Sequence, residues 1–400
     1  MQRRTALKLV AGACGIGCGA VARARAAVLP DAGTTALHLL RTGDIGGLPA
    51  IDIVLDGRPT RWLVDSGATT ALVSTALAAR LALPRLSPAR VATVGGVQTL
   101  DRYRLPALPV LGLREGPSVV AMDLEPVLGA AGASLDGLLG APWLRERVTT
   151  FDFAGRRLSW AGASGATPKH ASALALQWDA GLPVLRLAIG PREPERFLLD
   201  TGNAGALVIF AAHANGLLAG TAALPETMVQ ELGGPVTARY ARIERLSAPG
   251  FAAAEVPAAF ESGGAARRGG HFDRLAGSLG VALFEAGAIT LDGPGSRLVV
   301  DVPGLPTLPP LPGGFGFGLA RRAERLNVGA VLGGGPAAAA GVEAGDALLS
   351  LEGQDTRAWS PAQAWQALVG REQAVFELQR GGSAPRKITL ARASFFPLLR

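Results

Sequence analysis

The sequence has few of the side chains on which much enzyme chemistry depends. Its 400 residues include two cysteines, two tyrosines and four histidines, and aromatic residues make up 5%. Neither H-E-x-x-H nor G-x-S-x-G occurs, so zinc-dependent and serine-dependent hydrolysis are disfavoured, and no metal or cofactor is expected. The histidines hold no equivalent places in the chain and are expected in surface or polar-turn positions: His38, His170, His213 and His271.

Blocks of basic residues are also missing outside the N-terminus. The formal net charge is +7, but five positive charges and no acid lie in the first 26 residues. The remaining arginines are scattered and are not interleaved with aromatics, which argues against a nucleic-acid partner. We expect these arginines to lie on the solvated surface.

No strongly apolar run reaches the roughly 20 residues that a membrane span requires, so no stable span is expected in the mature chain. Residues 1–26 instead resemble a twin-arginine export signal: Arg3-Arg4 precede a weakly apolar stretch that ends at Ala24-Arg25-Ala26. Cleavage near Ala26 predicts a periplasmic or secreted protein and removes both cysteines, Cys14 and Cys18. A lipoprotein signal at Cys14 is the alternative, although the usual leucine is absent.

Glycine and proline are abundant, at 54 and 28 residues, and they separate many short Val/Leu runs. This pattern favours strands and turns over long helices, so the fold is predicted to be mostly β. At roughly 100 to 200 residues per domain, the length allows two to four domains.

An internal repeat organises the chain. Asp65-Ser66-Gly67 and Asp200-Thr201-Gly202 each follow an aromatic and two aliphatic residues, and each precedes an Ala-Leu-Val run. Three further landmarks recur in the same order and at nearly equal spacing: Leu48-Pro49 and Leu182-Pro183, Gly95-Gly96 and Gly233-Gly234, and Gly137–Gly140 and Gly277–Gly280. Four shared landmarks indicate two homologous halves.

These boundaries predict a first lobe at 27–160 and a second at 175–302. A small-residue linker at 161–169 joins the lobes, and a proline-rich linker at 303–313 follows the second. Residues 314–395 form a further predicted domain.

The paired triplets resemble those of pepsin-like and retroviral-type aspartic peptidases, over roughly residues 36–302. That family's bilobal fold implies two β lobes related by a pseudo-twofold axis, with Asp65 and Asp200 together at the floor of a cleft. A lone triplet of this kind is usually an ordinary turn. Here both aspartates follow apolar strands expected to be buried, where an unpartnered carboxylate is costly. The pair is therefore predicted to be catalytic and to share one proton.

The resemblance also implies roles for neighbouring residues. Ser66 and Thr201 would hydrogen-bond across the lobe interface, while Gly67 and Gly202 would let the backbone turn closely beneath the carboxylates. Two glycine pairs would form the tips of substrate-covering flaps: Gly95-Gly96 and Gly233-Gly234.

Three nearby residues also bear on the site. Tyr103 and Tyr240 follow the glycine pairs and are either flap tyrosines or, more in keeping with their surroundings, β-core residues. Asn203 departs from the small residue usual after the second triplet.

Residues 313–395 resemble bacterial PDZ domains, through Phe315–Leu319 and the run Ala340–Gly353. Ser360-Pro361 predicts the start of a groove helix over 361–369. The resemblance implies that the backbone of Phe317, Gly318 and Leu319 captures the carboxylate of a peptide or protein C-terminus. The alternative is a domain that only packs against the lobes or mediates assembly.

The sequence thus predicts an exported aspartic-type endopeptidase that acts on polypeptides through two aspartates. The alternative function is a non-catalytic periplasmic peptide-binding or scaffold protein that retains the same fold.

Overall fold

A computed structural model describes most of the chain beyond its first 31 residues. The described residues are 6–7, 32–41, 43, 46–93, 96–124, 134–162, 168, 170–219, 224, 226–231, 234–262, 270–311, 313–322 and 324–399. The predicted export signal, apart from residues 6–7, and most of the linker at 161–169 lie outside them.

The first half of the chain forms a lobe built on an eight-stranded sheet of order β3-β4-β5-β10-β6-β9-β8-β7. Its helices are α1 (Thr75–Arg80) and α2 (Ala141–Arg145), with a 3₁₀ turn at Pro109–Leu111. Its strands are β2 (Gly33–Ala36), β3 (His38–Leu40), β4 (Leu48–Leu55), β5 (Arg58–Val64), β6 (Leu72–Ser74), β7 (Arg85–Thr93), β8 (Gly96–Arg104), β9 (Ser118–Met122), β10 (Gly137–Leu139), β11 (Val148–Asp152) and β12 (Arg157–Ala161). Strand β1 (Ala6–Leu7) precedes them in the chain and belongs to the sheet of the second half.

The second half repeats this arrangement in an eleven-stranded sheet with the path β1-β18-β19-β15-β16-β21-β17-β20-β24. It contains α3 (Ala211–Leu218) and 3₁₀ turns at Gly270–Arg274 and Val281–Leu283. Its strands are β13 (Ser172–Ala175), β14 (Gln177–Asp179), β15 (Leu182–Ile189), β16 (Glu195–Leu199), β17 (Leu207–Ile209), β18 (Glu226–Glu231), β19 (Gly234–Ala248), β20 (Phe251–Ser262), β21 (Gly277–Leu279), β22 (Ala288–Asp292), β23 (Arg297–Asp301) and β24 (Thr307–Leu308).

The two lobes share their strand register around the repeated triplets. Strand β5 pairs in parallel with β10, Trp62 opposite Gly137, and β16 pairs in parallel with β21, Phe197 opposite Gly277. Both glycines are required by close packing, since a Cβ at Gly137 would stand 2.3 Å from the Trp62 ring. The predicted mostly β, two-lobed fold is confirmed.

A six-stranded sheet joins the lobes, in the order β13-β23-β22-β11-β12-β2. It contains the last hairpin of each half, β11–β12 in the first and β22–β23 in the second. Strands β11 and β22 pair antiparallel, with Thr150 opposite Thr290. Their hydroxyl oxygens are 2.8 Å apart. Because these threonines hold equivalent places in the two halves, the contact lies on the approximate twofold axis.

The C-terminal domain has a separate sheet of order β25-β26-β27-β29-β30 around a core that includes Phe315, Trp365 and Phe376. The predicted groove helix is found at Pro361–Ala367, capped by Ser360, whose hydroxyl accepts from Gln363 N–H. The elements are β25 (Phe317–Arg322), β26 (Arg325–Val331), α4 (Pro336–Ala339), β27 (Ala347–Leu351), β28 (Gln354–Asp355), α5 (Pro361–Ala367), β29 (Gln373–Gln379), β30 (Arg386–Ala391) and, beyond the domain, β31 (Leu398–Leu399).

Two connecting segments lie against the second lobe. Strand β24, inside the proline-rich linker, pairs in parallel with β20, so this segment is an added edge strand as well as a spacer. Strand β31, after the C-terminal domain, pairs in parallel with β19. The predicted domain boundaries stay a prediction. No helix within the described ranges is both long enough and apolar enough to cross a membrane.

Candidate active site

Asp65 and Asp200 occupy equivalent places directly after the buried strands β5 and β16. The backbone N–H of Asp65 donates to Leu139 O and that of Asp200 to Leu279 O, each at 2.9 Å. Both aspartates have 0% exposed surface. Parallel pairing with the repeated Gly-x-Leu strand therefore fixes each carboxylate at the end of a buried sheet.

The carboxylate groups of Asp65 and Asp200 lie close together, next to Gly67 and Gly202. A Cβ placed on Gly67 would stand 2.5 Å from Asp200 Oδ1 and 3.2 Å from Asp65 Oδ1, and one placed on Gly202 would stand 2.6 Å from the Asp65 carboxyl group. Each glycine also donates its N–H to the aspartate of its own lobe, at 2.7 Å for Gly67 and 3.0 Å for Gly202. Glycine is needed at both positions because any side chain would enter the space held by the carboxylates.

Ser66 and Thr201 lock the lobes together beneath the aspartates. Ser66 N–H donates to Thr201 Oγ1 at 2.9 Å, and Thr201 N–H donates to Ser66 Oγ at 3.0 Å. Each hydroxyl then donates across the interface to the strand that carries the other lobe's aspartate, Ser66 to Leu199 O and Thr201 to Val64 O, both at 2.7 Å. These four buried bonds satisfy both hydroxyls and limit relative movement of the carboxylates.

Burial raises the pKa of Asp65 to about 7, against the opposing effect of hydrogen bonds that favour its ionised form, chiefly that from Gly67 N–H. Two carboxyl groups this close cannot both ionise without a large electrostatic cost. The arrangement therefore favours a pair that holds one proton near neutral pH, which makes one member an acid and the other a base.

Asn203 preserves the geometry of the second triplet although it is larger than its counterpart, Ala68. Its side chain is buried, accepts from Gly205 N–H at 2.9 Å and donates to Ser278 Oγ at 3.3 Å. Its backbone carbonyl accepts from Val281 N–H at 2.8 Å, as Ala68 O accepts from Ala141 N–H at 2.7 Å. The departure noted in the sequence is thus accommodated by a local polar network.

Two contacts that the sequence did not predict join the two lobes. Arg41 of the first lobe forms a largely buried ion pair with Glu285 of the second. In the second contact, the Arg145 guanidinium of the first lobe lies 5.5 Å from the Trp178 ring of the second. Arg145 and Glu285 occupy matching positions after the repeated Gly-x-x-Gly segments, and this was the only signal in the sequence.

The second glycine of each pair begins a strand in one of two matching hairpins. Gly96 begins β8 opposite Thr93, and Gly234 begins β19 opposite Glu231. Their partners Gly95 and Gly233 lie outside the described residues. The geometry of the tips therefore stays a prediction.

The two tyrosines differ in their surroundings. Tyr103 is partly exposed on β8, where its hydroxyl accepts from Arg85 Nε at 3.2 Å. Tyr240 is buried, which raises the pKa of its phenol, and its ring stacks on Phe396. Tyr240 is thus a core residue, as the sequence favoured.

The predicted carboxylate-binding residues Phe317, Gly318 and Leu319 begin β25, an edge strand of the C-terminal sheet. The Phe317 ring lies 5.7 Å from the ring of Trp365 on α5. A Cβ on Gly318 would meet no atom within 4 Å. The predicted peptide-binding elements, a strand edge, an open glycine and a facing helix, therefore lie together.

The three histidines with described side chains each pair with a carboxylate other than those of Asp65 and Asp200. His38 contacts Asp52, and His170 contacts Asp301. His213 contacts Glu195, and the side chain of His271 lies outside those described. Where side chains are described, no group of three or more His, Cys, Asp or Glu residues is placed to hold a metal ion.

We expect Thr201→Ala to lower the free energy of unfolding by about 3 kcal/mol, because it deletes two buried hydrogen bonds, one to Val64 O and one from the Ser66 N–H, and leaves that N–H unsatisfied. Thr201→Ser keeps the hydroxyl and loses one buried methyl group, so it should cost about 1 kcal/mol. Calorimetric unfolding of the three proteins measures both values. Equal losses in the two variants would show that the hydroxyl does not join the lobes.

Comparison with known protein families agrees with this geometry. Residues 51–143, which include Asp65, match the family model described as aspartyl protease. Residues 305–379 match the model described as PDZ domain. No curated protein matches the chain. The assignment of the second lobe, which neither family match includes, rests on its shared strand register and its equivalent Asp200.

Proposed function

We propose that this chain, which carries an aspartyl protease domain and a C-terminal PDZ domain, is an exported aspartic endopeptidase whose catalytic residues are Asp65 and Asp200. The observation that carries the proposal is the placement of both carboxylates around the two triplet glycines. The reciprocal Ser66–Thr201 hydrogen bonds hold that placement.

The proposed reaction is direct attack of water on a peptide carbonyl. The ionised aspartate takes a proton from the water as it attacks, and the protonated aspartate donates its proton to the carbonyl oxygen. The resulting tetrahedral intermediate collapses when the first aspartate gives its proton to the leaving nitrogen and one hydroxyl of the intermediate returns a proton to the second aspartate. The C–N bond breaks, and a carboxyl group and an amine are released. No covalent enzyme intermediate forms, and the pair returns to its starting state with one proton.

Substrate entry requires movement, because both carboxyl groups are fully buried. The hairpins β7–β8 and β18–β19 occupy matching places in the two lobes and are the proposed movable flaps. Two flaps suit a polypeptide bound in an extended conformation between the lobes.

The PDZ domain supports a role on polypeptide substrates. Its edge strand β25 can accept an extended peptide as an added strand, with the terminal carboxylate at Phe317–Leu319. Export to the periplasm or beyond the cell is part of the proposal and rests on the N-terminal signal pattern alone.

Activity is expected to fall as pH rises above about 7, since the pKa of Asp65 is about 7 and deprotonation removes the acid of the pair. Above that pH, kcat/KM for an unfolded protein such as reduced casein should fall about tenfold per pH unit. A statine-type inhibitor should block cleavage below pH 7 and bind more weakly above it. Cleavage that is constant to pH 9 and insensitive to the inhibitor would contradict the proposed mechanism.

Stability offers an independent check of the same pKa. An acid whose pKa is raised in the folded state binds its proton more tightly when folded, so the free energy of unfolding should fall as pH rises from about 4 to about 7. Asp65→Asn should flatten that fall.

A further inference from the structure

The last residues of the chain contact both the PDZ domain and the second lobe. The Phe396 ring stacks on Tyr240 of β19, with ring centres 5.2 Å apart and an interplanar angle of 23°. Strand β31 then continues along β19, with Leu398 opposite Arg242. Residues 395–399 are called the C-terminal strap below.

Arg242 holds the strap through backbone and side chain. Its N–H donates to Pro397 O at 2.8 Å, and its Nε donates to Phe396 O at 2.7 Å. The guanidinium also forms an ion pair with Glu255 on β20, the neighbouring strand. The strap is therefore bound by hydrogen bonds as well as by aromatic packing.

Comparison with the first lobe shows which strand position the strap occupies. There, Leu72 pairs with Val120 of β9, and Val120 pairs with Arg102 of β8. The next residue of β8, Tyr103, pairs on its other side with Arg85, the first residue of β7. The outer edge of the flap strand β8 is thus covered along this length by its own hairpin partner.

The second lobe has the same ladder with a different outer strand. Leu207, the counterpart of Leu72, pairs with Ala258 of β20, and Ala258 pairs with Ala241 of β19. The next residue of β19, Arg242, pairs on its other side with Leu398. Leu398 therefore occupies the ladder position that Arg85 occupies in the first lobe.

The difference arises because the second hairpin has the shorter outer strand. Strand β7 has nine residues, whereas β18 has six and pairs with β19 from Gly234 to Arg239. The strap covers the edge of β19 just beyond that pairing. The second flap is thus completed by residues that follow the PDZ domain.

The start of the strap, and the residues just before it, are anchored on the PDZ domain. Ala393 and Gly314 exchange backbone hydrogen bonds, at 3.1 and 3.2 Å. A Cβ placed on Gly335 would stand 3.1 Å from the Phe395 ring and 3.2 Å from Gly316 Cα. Phe395 therefore packs where the PDZ chain leads into its carboxylate-binding residues, and its ring lies 4.6 Å from that of Phe396.

We propose that Phe395, Phe396 and Leu398 are positioning residues for the second flap, β18–β19, and that the PDZ domain anchors them. The effect on cleavage rests on the proposed peptidase function; the effect on the flap does not. Phe396 contacts the flap strand directly, whereas Phe395 acts through its contact with the PDZ domain. Removal of either aromatic ring frees the outer edge of β19.

Hydrogen exchange followed by mass spectrometry tests the positioning without any assay of activity. Two variants are compared with the unmodified full chain: Phe396→Ala and a chain that ends at Ser394. Both should speed amide exchange in β18–β19 by about tenfold or more. The β7–β8 hairpin, whose edge is covered by its own partner strand, should be unchanged in the same samples. Phe396→Leu should restore most of the protection, and Val54→Ala, an exposed residue of β4, is the matched control. Unchanged exchange in the shortened chain would overturn the proposal.

Phe395→Ala tests the anchor separately. It should speed exchange in β18–β19 although the contact of Phe396 with Tyr240 remains. If Phe396→Ala speeds amide exchange and Phe395→Ala does not, the strap still positions the flap, but the proposed anchoring by the PDZ domain is wrong.

Cleavage provides the second readout. In the strap variants, KM for reduced casein should rise about tenfold, while kcat and the pH profile change little, because the flap binds substrate and the aspartates do not move. If the unmodified chain does not cleave casein, the proposed peptidase function is wrong. The hydrogen-exchange experiment still tests the positioning of the flap, because it does not depend on activity. Cleavage with unchanged KM in all strap variants, alongside faster exchange, would overturn the role of the strap in substrate binding.

Discussion

Replacing either Asp65 or Asp200 with asparagine is expected to lower kcat/KM for an unfolded protein substrate by at least about 1,000-fold, because each change removes one of the two proton-transfer groups. Asparagine has nearly the shape of aspartate, so the fold and the Ser66–Thr201 bonds should persist. Cleavage of reduced casein at pH 5, followed by the release of new amino termini, measures the effect.

The matched control for these variants is Asp56→Asn. Asp56 is exposed in the turn between β4 and β5, where its φ of 51° is one that asparagine also tolerates. It should keep full activity. Binding of peptides to the PDZ domain should be the same in all these proteins. Substantial hydrolysis by both Asp65→Asn and Asp200→Asn would leave the non-catalytic binding or scaffold role as the explanation of the fold.

Gly67→Ala and Gly202→Ala are expected to reduce activity by about 100-fold or more, because the new methyl group displaces a carboxylate that must be placed to within about 1 Å. The added Cβ would stand 2.5 Å from Asp200 Oδ1 in the first variant and 2.6 Å from the Asp65 carboxyl group in the second. Such overpacking should also lower the free energy of unfolding by about 1–3 kcal/mol. Steady-state cleavage and calorimetry measure the two effects.

Gly216→Ala is the control for the same chemical change. Gly216 lies in α3, and a Cβ there would meet no atom within 4 Å. Alanine should stabilise this helix by about 0.4–1 kcal/mol and leave cleavage unaffected. Wild-type activity in both Gly67→Ala and Gly202→Ala would contradict the close approach of the carboxylates.

The repeat made the centre of the candidate site predictable. An apolar strand that ends in Asp, a hydroxyl residue and Gly is a weak pattern alone, but its recurrence with a later Gly-x-Leu strand implies two equivalent lobes. The structure brings Asp65, Asp200 and their supporting residues together, as expected for two equivalent lobes. Thr150 and Thr290 also hold equivalent places in the two halves, but their contact is seen only in the structure.

Other features had no local signal. The ion pair between Arg41 and Glu285 joins residues far apart in sequence, and so does the hydrogen bond from Asn203 to Ser278. The C-terminal strap reads in sequence as a short apolar tail after the PDZ domain. The strap can pair with β19 only because β18 is too short to cover that part of its edge.

The sequence by itself determined the two-lobed β architecture, the paired aspartates and the capped helix of the PDZ domain, because strand periodicity, turn chemistry, capping and repetition act over short distances along the chain. The tertiary structure decided which distant groups meet: the shared position of the two carboxylates, the braces between lobes and the strap on β19. Such contacts depend on the packing of whole lobes, which no short stretch of sequence encodes.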